Sequence, residues 1–224
     1  RTYRKKKKRT YRKKNYVSRV IGGFTAHSDV KLKYVTQFSL DPSVASYAYA
    51  VLRANDCYDP EVAVGGSQPS NFDIWMARYD HFTVKSSSVR ITFLPNTGTN
   101  VVQSVVGILK SDSGTVLPTL ANLSDLLEQP NNGWSRKVAG GAYDTNNIVS
   151  TTSRFNAGRF FGKSMSAVYG SDSLKGTVAA SPLEQCYYEI YAYSILGTDP
   201  GAIPILAEIT YNVRFSERKK SQLS

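Results

Sequence analysis

The chain opens with a cationic segment in which one hexapeptide, RTYRKK, occurs twice, at residues 1–6 and 9–14. Residues 1–19 contain eleven Lys or Arg side chains and no Asp or Glu. Ammonium and guanidinium groups at this density bind polyanions. The interleaved tyrosine rings can stack on unpaired bases, a contact worth about 1–3 kcal/mol per base. These residue types therefore predict a segment that binds the backbone of a single-stranded nucleic acid.

The net charge of the chain is confined to this segment. The sequence has 28 basic and 17 acidic residues, for a net charge of +11. Without the eleven cations of residues 1–19, the remaining chain has 17 basic residues against 17 acidic ones. Eleven like charges with few apolar side chains cannot bury enough surface to fold alone. We therefore predict a disordered basic arm, residues 1–19, joined to a neutral folded body.

The candidate nucleic-acid-binding residues are the cations and tyrosines of the arm. They are Arg1, Tyr3, Arg4, Lys5, Lys6, Lys7, Lys8, Arg9, Tyr11, Arg12, Lys13, Lys14, Tyr16 and Arg19. The same basic stretch is typical of a nuclear import signal. A heparin-like glycan or a membrane surface is an alternative partner for such a charge. The arm has no amphipathic apolar face, and this disfavours insertion into a membrane.

The body that must hold the arm has the sequence pattern of β-strands. Apolar and polar residues alternate in VKLKYVTQFSL, SSVRITF and ILAEITYNVRF, as in half-buried strands. With five less regular segments, these predict eight strands. The predicted strands are 30–40, 46–54, 87–93, 101–110, 134–139, 148–155, 186–196 and 205–215.

Two short segments have helical spacing instead. In PSNFDIWMARYDHF, apolar residues recur at helical intervals from Phe72 to Phe82, and Ser70 with Asp73 has the spacing of a capping box. In TLANLSDLLEQP, four leucines form one stripe that ends before Pro130. Both stripes are expected to pack against the core rather than to bind a ligand.

Long and irregular connections separate these elements, and the longest is predicted to be a loop over residues 156–184. This arrangement favours an all-β fold, a single jelly roll built as an eight-stranded antiparallel sandwich with two short helices in its connecting loops. We assign residues 20–216 to this body and residues 217–224 to a C-terminal tail.

The sequence offers little that could support catalysis. It contains none of the G-x-S-x-G, P-loop, H-E-x-x-H or C-x-x-C motifs, so we predict neither an enzyme nor a cofactor. The two cysteines, Cys57 and Cys186, are expected to be buried apolar side chains. Asp56 and Asp59 are weak candidates for Ca²⁺ ligands, and a polar loop is the alternative interpretation.

Four features of the sequence together resemble one protein family. They are the basic arm, the segment FDIWMARYDHFTVKSSSVRITFLP at 72–95, the spacing of the eight strands and the segment ILAEITYNVRFSER at 205–218. With these features the chain resembles the capsid proteins of circular single-stranded DNA viruses that encode a replication initiator, the circoviruses and their relatives. Their arms are usually dominated by arginine, whereas lysines outnumber arginines here.

The resemblance implies a capsid protein that self-assembles into an icosahedral T=1 shell of about sixty copies. It also implies that the arm packages single-stranded viral DNA and engages nuclear import receptors. The expected locations are the virion and, during assembly, the host nucleus, and a host surface receptor or glycan is a further, unspecified partner.

Other classes of protein share parts of this pattern. The capsid protein of a small single-stranded RNA virus has the same layout, so DNA and RNA genomes both remain open. A cellular nucleic-acid-binding protein with an all-β body would also carry a basic tail. A secreted β-sandwich with a heparin-binding tail is a third interpretation.

Overall fold

The computed structural model describes residues 25–44, 46–63, 67–95, 103–120, 122–138, 148–195 and 199–219, with only the backbone at 135–138. Within these ranges there are eight β-strands and four short α-helices. The strands are β1 (His27–Leu40), β2 (Tyr47–Arg53), β3 (Tyr79–Phe93), β4 (Gln103–Ser111), β5 (Asn132–Val138), β6 (Val149–Asn156), β7 (Tyr187–Ser194) and β8 (Ile203–Arg218). The helices are α1 (Phe72–Met76), α2 (Leu123–Leu127), α3 (Ala157–Phe160) and α4 (Met165–Gly170), with 3₁₀ turns at Leu117–Thr119 and Asp172–Leu174. None of the described helices is long and apolar enough to cross a lipid bilayer.

The strands form two four-stranded antiparallel sheets, with the orders β1-β8-β3-β6 and β2-β7-β4-β5. We call them the first and the second sheet. The first strand pairs with the eighth, the second with the seventh, the third with the sixth and the fourth with the fifth. Pairing of this kind arises when one long antiparallel ribbon wraps into a sandwich, which is a jelly roll. The predicted fold class is therefore confirmed.

The core lies between the two sheets and follows the alternation seen in the sequence. In β8, every second side chain from Ile203 to Phe215 is at most 1% exposed, and the residues between them are half-buried. In β1, Leu32, Tyr34 and Leu40 face the same core. A period of two places the apolar set of each strand on one face, which is why these strands were predictable from the sequence.

The segment around α1 differs from the helix that was predicted there. The helix ends at Met76, and residues from Tyr79 onward belong to β3. Tyr79 and Phe82 are buried, but on a strand rather than on a helical stripe. The predicted capping box is also wrong, since Asn71 occupies the N-cap position with φ 69° and makes no side-chain hydrogen bond there.

The helix α2 matches its prediction, because Leu126 is buried and three neighbouring leucines pack on the same small core. This core joins α2 to the outer face of the second sheet, where Leu109 and Tyr191 lie. The segment predicted as a long loop, 156–184, instead contains α3, α4 and one 3₁₀ turn. The side chains of Asn156 and Ser164 cap these helices by accepting hydrogen bonds from main-chain N–H groups.

Candidate nucleic-acid interface

All fourteen candidate residues of the arm lie outside the described residues, and the part of the chain that the structure describes begins six residues after Arg19. Thr25 is the first residue described. Its carbonyl oxygen accepts a hydrogen bond of 3.1 Å from the hydroxyl of Tyr79. Tyr79 is 1% exposed and packs against Phe215 and Trp75. The chain that follows the arm is therefore fixed to the aromatic part of the core at one end of the first sheet.

The basic residues of the C-terminus reach the same corner of the molecule. Arg218 lies opposite Tyr79 in the pairing of β8 with β3. The main-chain N–H of Lys219 donates to the carbonyl of Arg78, and its ammonium group donates to the carbonyl of Met76 at 2.8 Å. The strand β8 thus extends to Arg218, two residues into the segment assigned to the C-terminal tail. The corner next to Thr25 therefore carries Arg78, Arg218 and Lys219.

An ion-pair network on the outer face of the first sheet links three of its strands. The guanidinium of Arg214 in β8 binds both carboxylate oxygens of Asp29 in β1, at 2.9 and 3.0 Å. Lys85 in β3 lies 3.2 Å from the same carboxylate. The hydrogen bond from Arg214 holds the pKa of Asp29 below its usual value. Arg214 also lies 3.8 Å from the ring centre of Tyr169, which connects α4 to the network.

A second group of cations was not anticipated from the sequence. Lys110, Arg154 and Arg159 line a groove of about 720 Å³ between the end of β4, the end of β6 and α3. The described residues that line this groove include no Asp or Glu. Its other polar side chains are those of Ser86, Ser88, Asn131, Asn156 and Asn212, whereas the hydroxyl of Ser87, which also borders the groove, donates to the carbonyl of Ala54 in the core. We refer to this site as the β6 groove.

A bulge in β3 shapes the floor of the β6 groove. The pairing of β3 with β8 shifts between Val84 and Ser86, so that Lys85 is an extra residue in the strand. Ser86 then lies opposite Asn212, and the amide of Asn212 donates a hydrogen bond of 2.9 Å to its hydroxyl. A bulge re-aims the side chains that follow it. The hydroxyl and amide groups thereby face the same groove as the three cations.

The two weak candidates for metal ligands have other roles. The carboxylate of Asp59 lies 2.5 Å from the guanidinium of Arg53. Asp56 is fully buried, and one of its oxygens accepts the main-chain N–H of Tyr58 at 2.9 Å. The described residues contain no group of three or more His, Cys, Asp or Glu side chains that could hold a metal ion. These contacts assign the two carboxylates to the organisation of the loop after β2.

The burial of Asp56 predicts a specific dependence of stability on pH. Its second carboxylate oxygen has no hydrogen-bond donor among the described residues, and burial raises the pKa of the carboxyl group. Since the folded pKa lies above the unfolded one, the folded chain loses stability as the pH rises from about 4 through the folded pKa, and it stays less stable above it.

Asp56→Asn removes this ionisation and keeps an oxygen for the N–H of Tyr58. We expect the variant to be more stable than the parent at neutral pH by about 1–3 kcal/mol, with no advantage near pH 4. Thermal melting at several pH values tests this, with Asp59→Asn as a control that keeps the buried carboxyl of Asp56 and removes only the more exposed one paired with Arg53. A constant difference between Asp56→Asn and the parent at all pH values would contradict the assignment.

Comparisons with known proteins found similarity only at the level of solved structures. No family model and no curated protein matches the chain. The decameric BFDV capsid protein is 10% identical, with a TM-score of 0.44, over 85% of this chain and 99% of that one. A turnip yellow mosaic virus structure is 12% identical, with a TM-score of 0.44, over 87% and 96%. The nora virus structure is 11% identical, with a TM-score of 0.47, over 96% and 69%. Values this low do not assign the chain to a family.

Proposed function

We propose that this protein is the coat subunit of a small virus, in which the jelly-roll body forms the shell and the basic arm packages a single-stranded genome. One observation carries the proposal, which is the segregation of charge. The whole net charge of +11 belongs to residues 1–19, and residues 20–224, the body with its C-terminal tail, have none. A neutral body can pack closely against identical copies, whereas a tethered polycation needs no fixed fold to neutralise phosphates.

The edge of the sandwich supports close packing between copies. The strands β1 and β2 are the edge strands of their sheets. A groove of about 400 Å³ runs between them, lined by Phe38, Leu40 and Leu52 among others. Tyr49 and Val62 in this groove are each 43% exposed. Residues 60–62 already bond to the edge of β2, so the exposed apolar groups lie beside the edge strand β1. Exposed apolar groups beside a strand edge favour association, and a neighbouring subunit would cover both.

The finer parts of the proposal concern copy number, genome and localisation. We propose a T=1 shell of about sixty subunits, the smallest closed icosahedral arrangement. Sixty arms with eleven charges each would supply about 660 positive charges to the interior, so genome binding should depend strongly on salt. We further propose that the genome is single-stranded DNA and that the arm directs the free subunit to the nucleus. An RNA genome is the second candidate, since the arm chemistry suits either backbone.

Sedimentation of the purified full-length protein through a sucrose gradient tests the proposal. We expect a sharp, fast peak of round particles in negative stain, with an absorbance ratio at 260 and 280 nm typical of nucleoprotein. The nucleic acid extracted after nuclease treatment of intact particles should then be degraded by DNase. If RNase degrades it instead, the packaged genome is RNA rather than DNA. A slow peak at all salt and pH values tried, with nucleic acid present, would overturn the coat-subunit assignment.

A further inference from the structure

We infer that the β6 groove is a second nucleic-acid contact, on the folded body and separate from the arm, which binds a phosphate of the strand and stacks a base on Phe160. The choice of nucleic acid as the bound polyanion rests on the proposed function, whereas the basic character of the groove does not. The inference depends on three properties of the groove: its unpaired cations, its neutral hydrogen-bond donors and its aromatic side chain.

The cations of the groove differ from most others on the body in their pairing. Many lysines and arginines of the body bind carboxylates, such as Lys33 with Glu208 at 2.7 Å and Lys163 with Glu184 at 3.2 Å. Within the described part of the chain, Lys110, Arg154 and Arg159 have no carboxylate within 4.0 Å. The ammonium of Lys110 instead donates to the carbonyl of Arg154 at 3.1 Å. Three unneutralised cations around one concavity attract an anion.

The neutral groups of the groove suit a phosphodiester. Hydroxyls and amides complete the hydrogen bonding of phosphate oxygens in nucleic-acid complexes, beside the charged contacts of Arg and Lys. Ser86, Ser88 and Asn156 line the groove together with the cations, and Arg154, Asn156 and Arg159 are exposed. Arginine suits the task, since its planar fork can bind two phosphate oxygens at once.

The aromatic side chain distinguishes a nucleic acid from other polyanions. Phe160 lines the groove and is only partly buried. Its ring is held edge-to-face by Phe155, at 5.7 Å, and by Phe161, at 5.1 Å. A ring fixed in this way can stack on a base without losing rotamer freedom. A sulfated glycan would use the cations but would find no partner for the ring.

The groove and the arm can act on the same strand of nucleic acid. Thr25 lies two residues before His27, which pairs with Ser216, whereas the groove is at the level of Asn212 on the same sheet. Six residues along a strand and the three strand spacings from β1 to β6 correspond to about 20 Å and about 14 Å. A nucleic-acid strand whose phosphates are neutralised by the arm can therefore reach the groove within a few nucleotides.

Photo-cross-linking of the full-length protein to a photoreactive oligothymidylate tests the inference. After irradiation at low salt and digestion, mass spectrometry identifies the cross-linked peptides. We expect cross-links at Phe160 as well as at the arm tyrosines. Arg154→Gln/Arg159→Gln should lower the Phe160 cross-link by about tenfold and leave the arm cross-links unchanged, since both arginines are exposed and their loss should not affect folding.

The matched control is Lys31→Gln/Lys33→Gln, which removes two exposed cations from β1 at the opposite edge of the same sheet. It should leave the Phe160 cross-link unchanged. Cross-links confined to the arm would overturn the inference, as would a Phe160 cross-link insensitive to the arginine substitutions. Binding of a heparin fragment at the two arginines, with no oligonucleotide cross-link at Phe160, would overturn the inference in favour of a glycan. Sedimentation of the same samples reports particle assembly separately, so failure of the proposed function is recognised independently.

Discussion

Deletion of residues 1–19 is expected to abolish most of the affinity for single-stranded nucleic acid while the body remains folded. Each phosphate neutralised on a single strand contributes about −0.7 to the slope of log K against log salt concentration, so the loss of eleven cations should make this slope shallower by about 8. A residual slope of about −2 should remain if the three cations of the β6 groove also take part. Filter-binding titrations at several salt concentrations measure both quantities.

Two control variants separate the charge of the arm from its tyrosines. Replacement of the eleven cations by glutamine keeps the length of the arm and should lose as much affinity as the deletion. Replacement of Tyr3, Tyr11 and Tyr16 by serine keeps the charge, so the salt slope should stay the same. The affinity for single strands should still fall, because stacking contributes about 1–3 kcal/mol per base. Unchanged affinity and slope after the deletion would show that the arm is not the binding element. Circular dichroism should show a folded body in every variant.

The strands were predictable because the alternation of apolar and polar residues along each of them shows which face is buried. In β8 the alternation holds along nearly the whole strand, since one face meets the core and the other face does not. The start of β3 was misassigned for the opposite reason. Phe82, Thr83 and Val84 are consecutive and all buried, because this end of the strand is covered on both faces. Phe72 of α1 packs on Phe82 on the core side, and Tyr169 of α4 lies over Arg214, the partner of Thr83, on the outer side. A strand covered on both faces loses its period of two, and its apolar spacing then imitates a helix.

The β6 groove could not be predicted because its parts come from distant positions in the chain. Lys110 and Arg154 are 44 residues apart and meet only when the end of β4 in the second sheet approaches the end of β6 in the first. The helix that carries Arg159 has four residues, too few for a helical period to appear in the sequence. Its one local signal was Asn156, a residue type favoured at N-caps, whose side chain caps the helix.

The second large effect is expected from the substitution Gly176→Ala, which adds a single methyl group. Gly176 and Phe82 form an isolated bridge in which each main-chain N–H donates to the other's carbonyl at 2.9 Å. A Cβ atom at position 176 would lie 2.3 Å from Cζ and 2.5 Å from Cε1 of the Phe82 ring, and 3.1 Å from the carbonyl oxygen of Ala180. Phe82 is fully buried and packs edge-to-face on Phe72 at 5.3 Å. The ring therefore has no free space into which it could move.

Gly176→Ala should accordingly destabilise the fold by about 3 kcal/mol. For a chain of this size, this corresponds to a fall in melting temperature of about 6–12 °C. The matched control is Gly170→Ala, since a Cβ atom at that position, in the last turn of α4, has no neighbour within 4 Å. We expect the control to melt within about 2 °C of the parent, because alanine also has the higher helix propensity. Equal melting temperatures for Gly176→Ala and the parent would contradict the close approach.

A double-mutant cycle identifies the Phe82 ring as the cause of this loss. Phe82→Leu removes the two ring atoms that the new methyl group would meet, although it creates a cavity of its own. The two substitutions together should therefore destabilise the fold by clearly less than the sum of their separate effects, with a coupling energy of about 1–3 kcal/mol. Strict additivity would assign the loss to the main chain near Ala180 instead.

The ring of Phe82 is also connected to Thr25 through a chain of aromatic contacts. Phe72 packs on Phe82 and also contacts Phe215, and Phe215 packs on the Tyr79 ring that binds the carbonyl of Thr25. Through these contacts, a displaced Phe82 ring should also weaken the hydrogen bond that holds Thr25 to Tyr79.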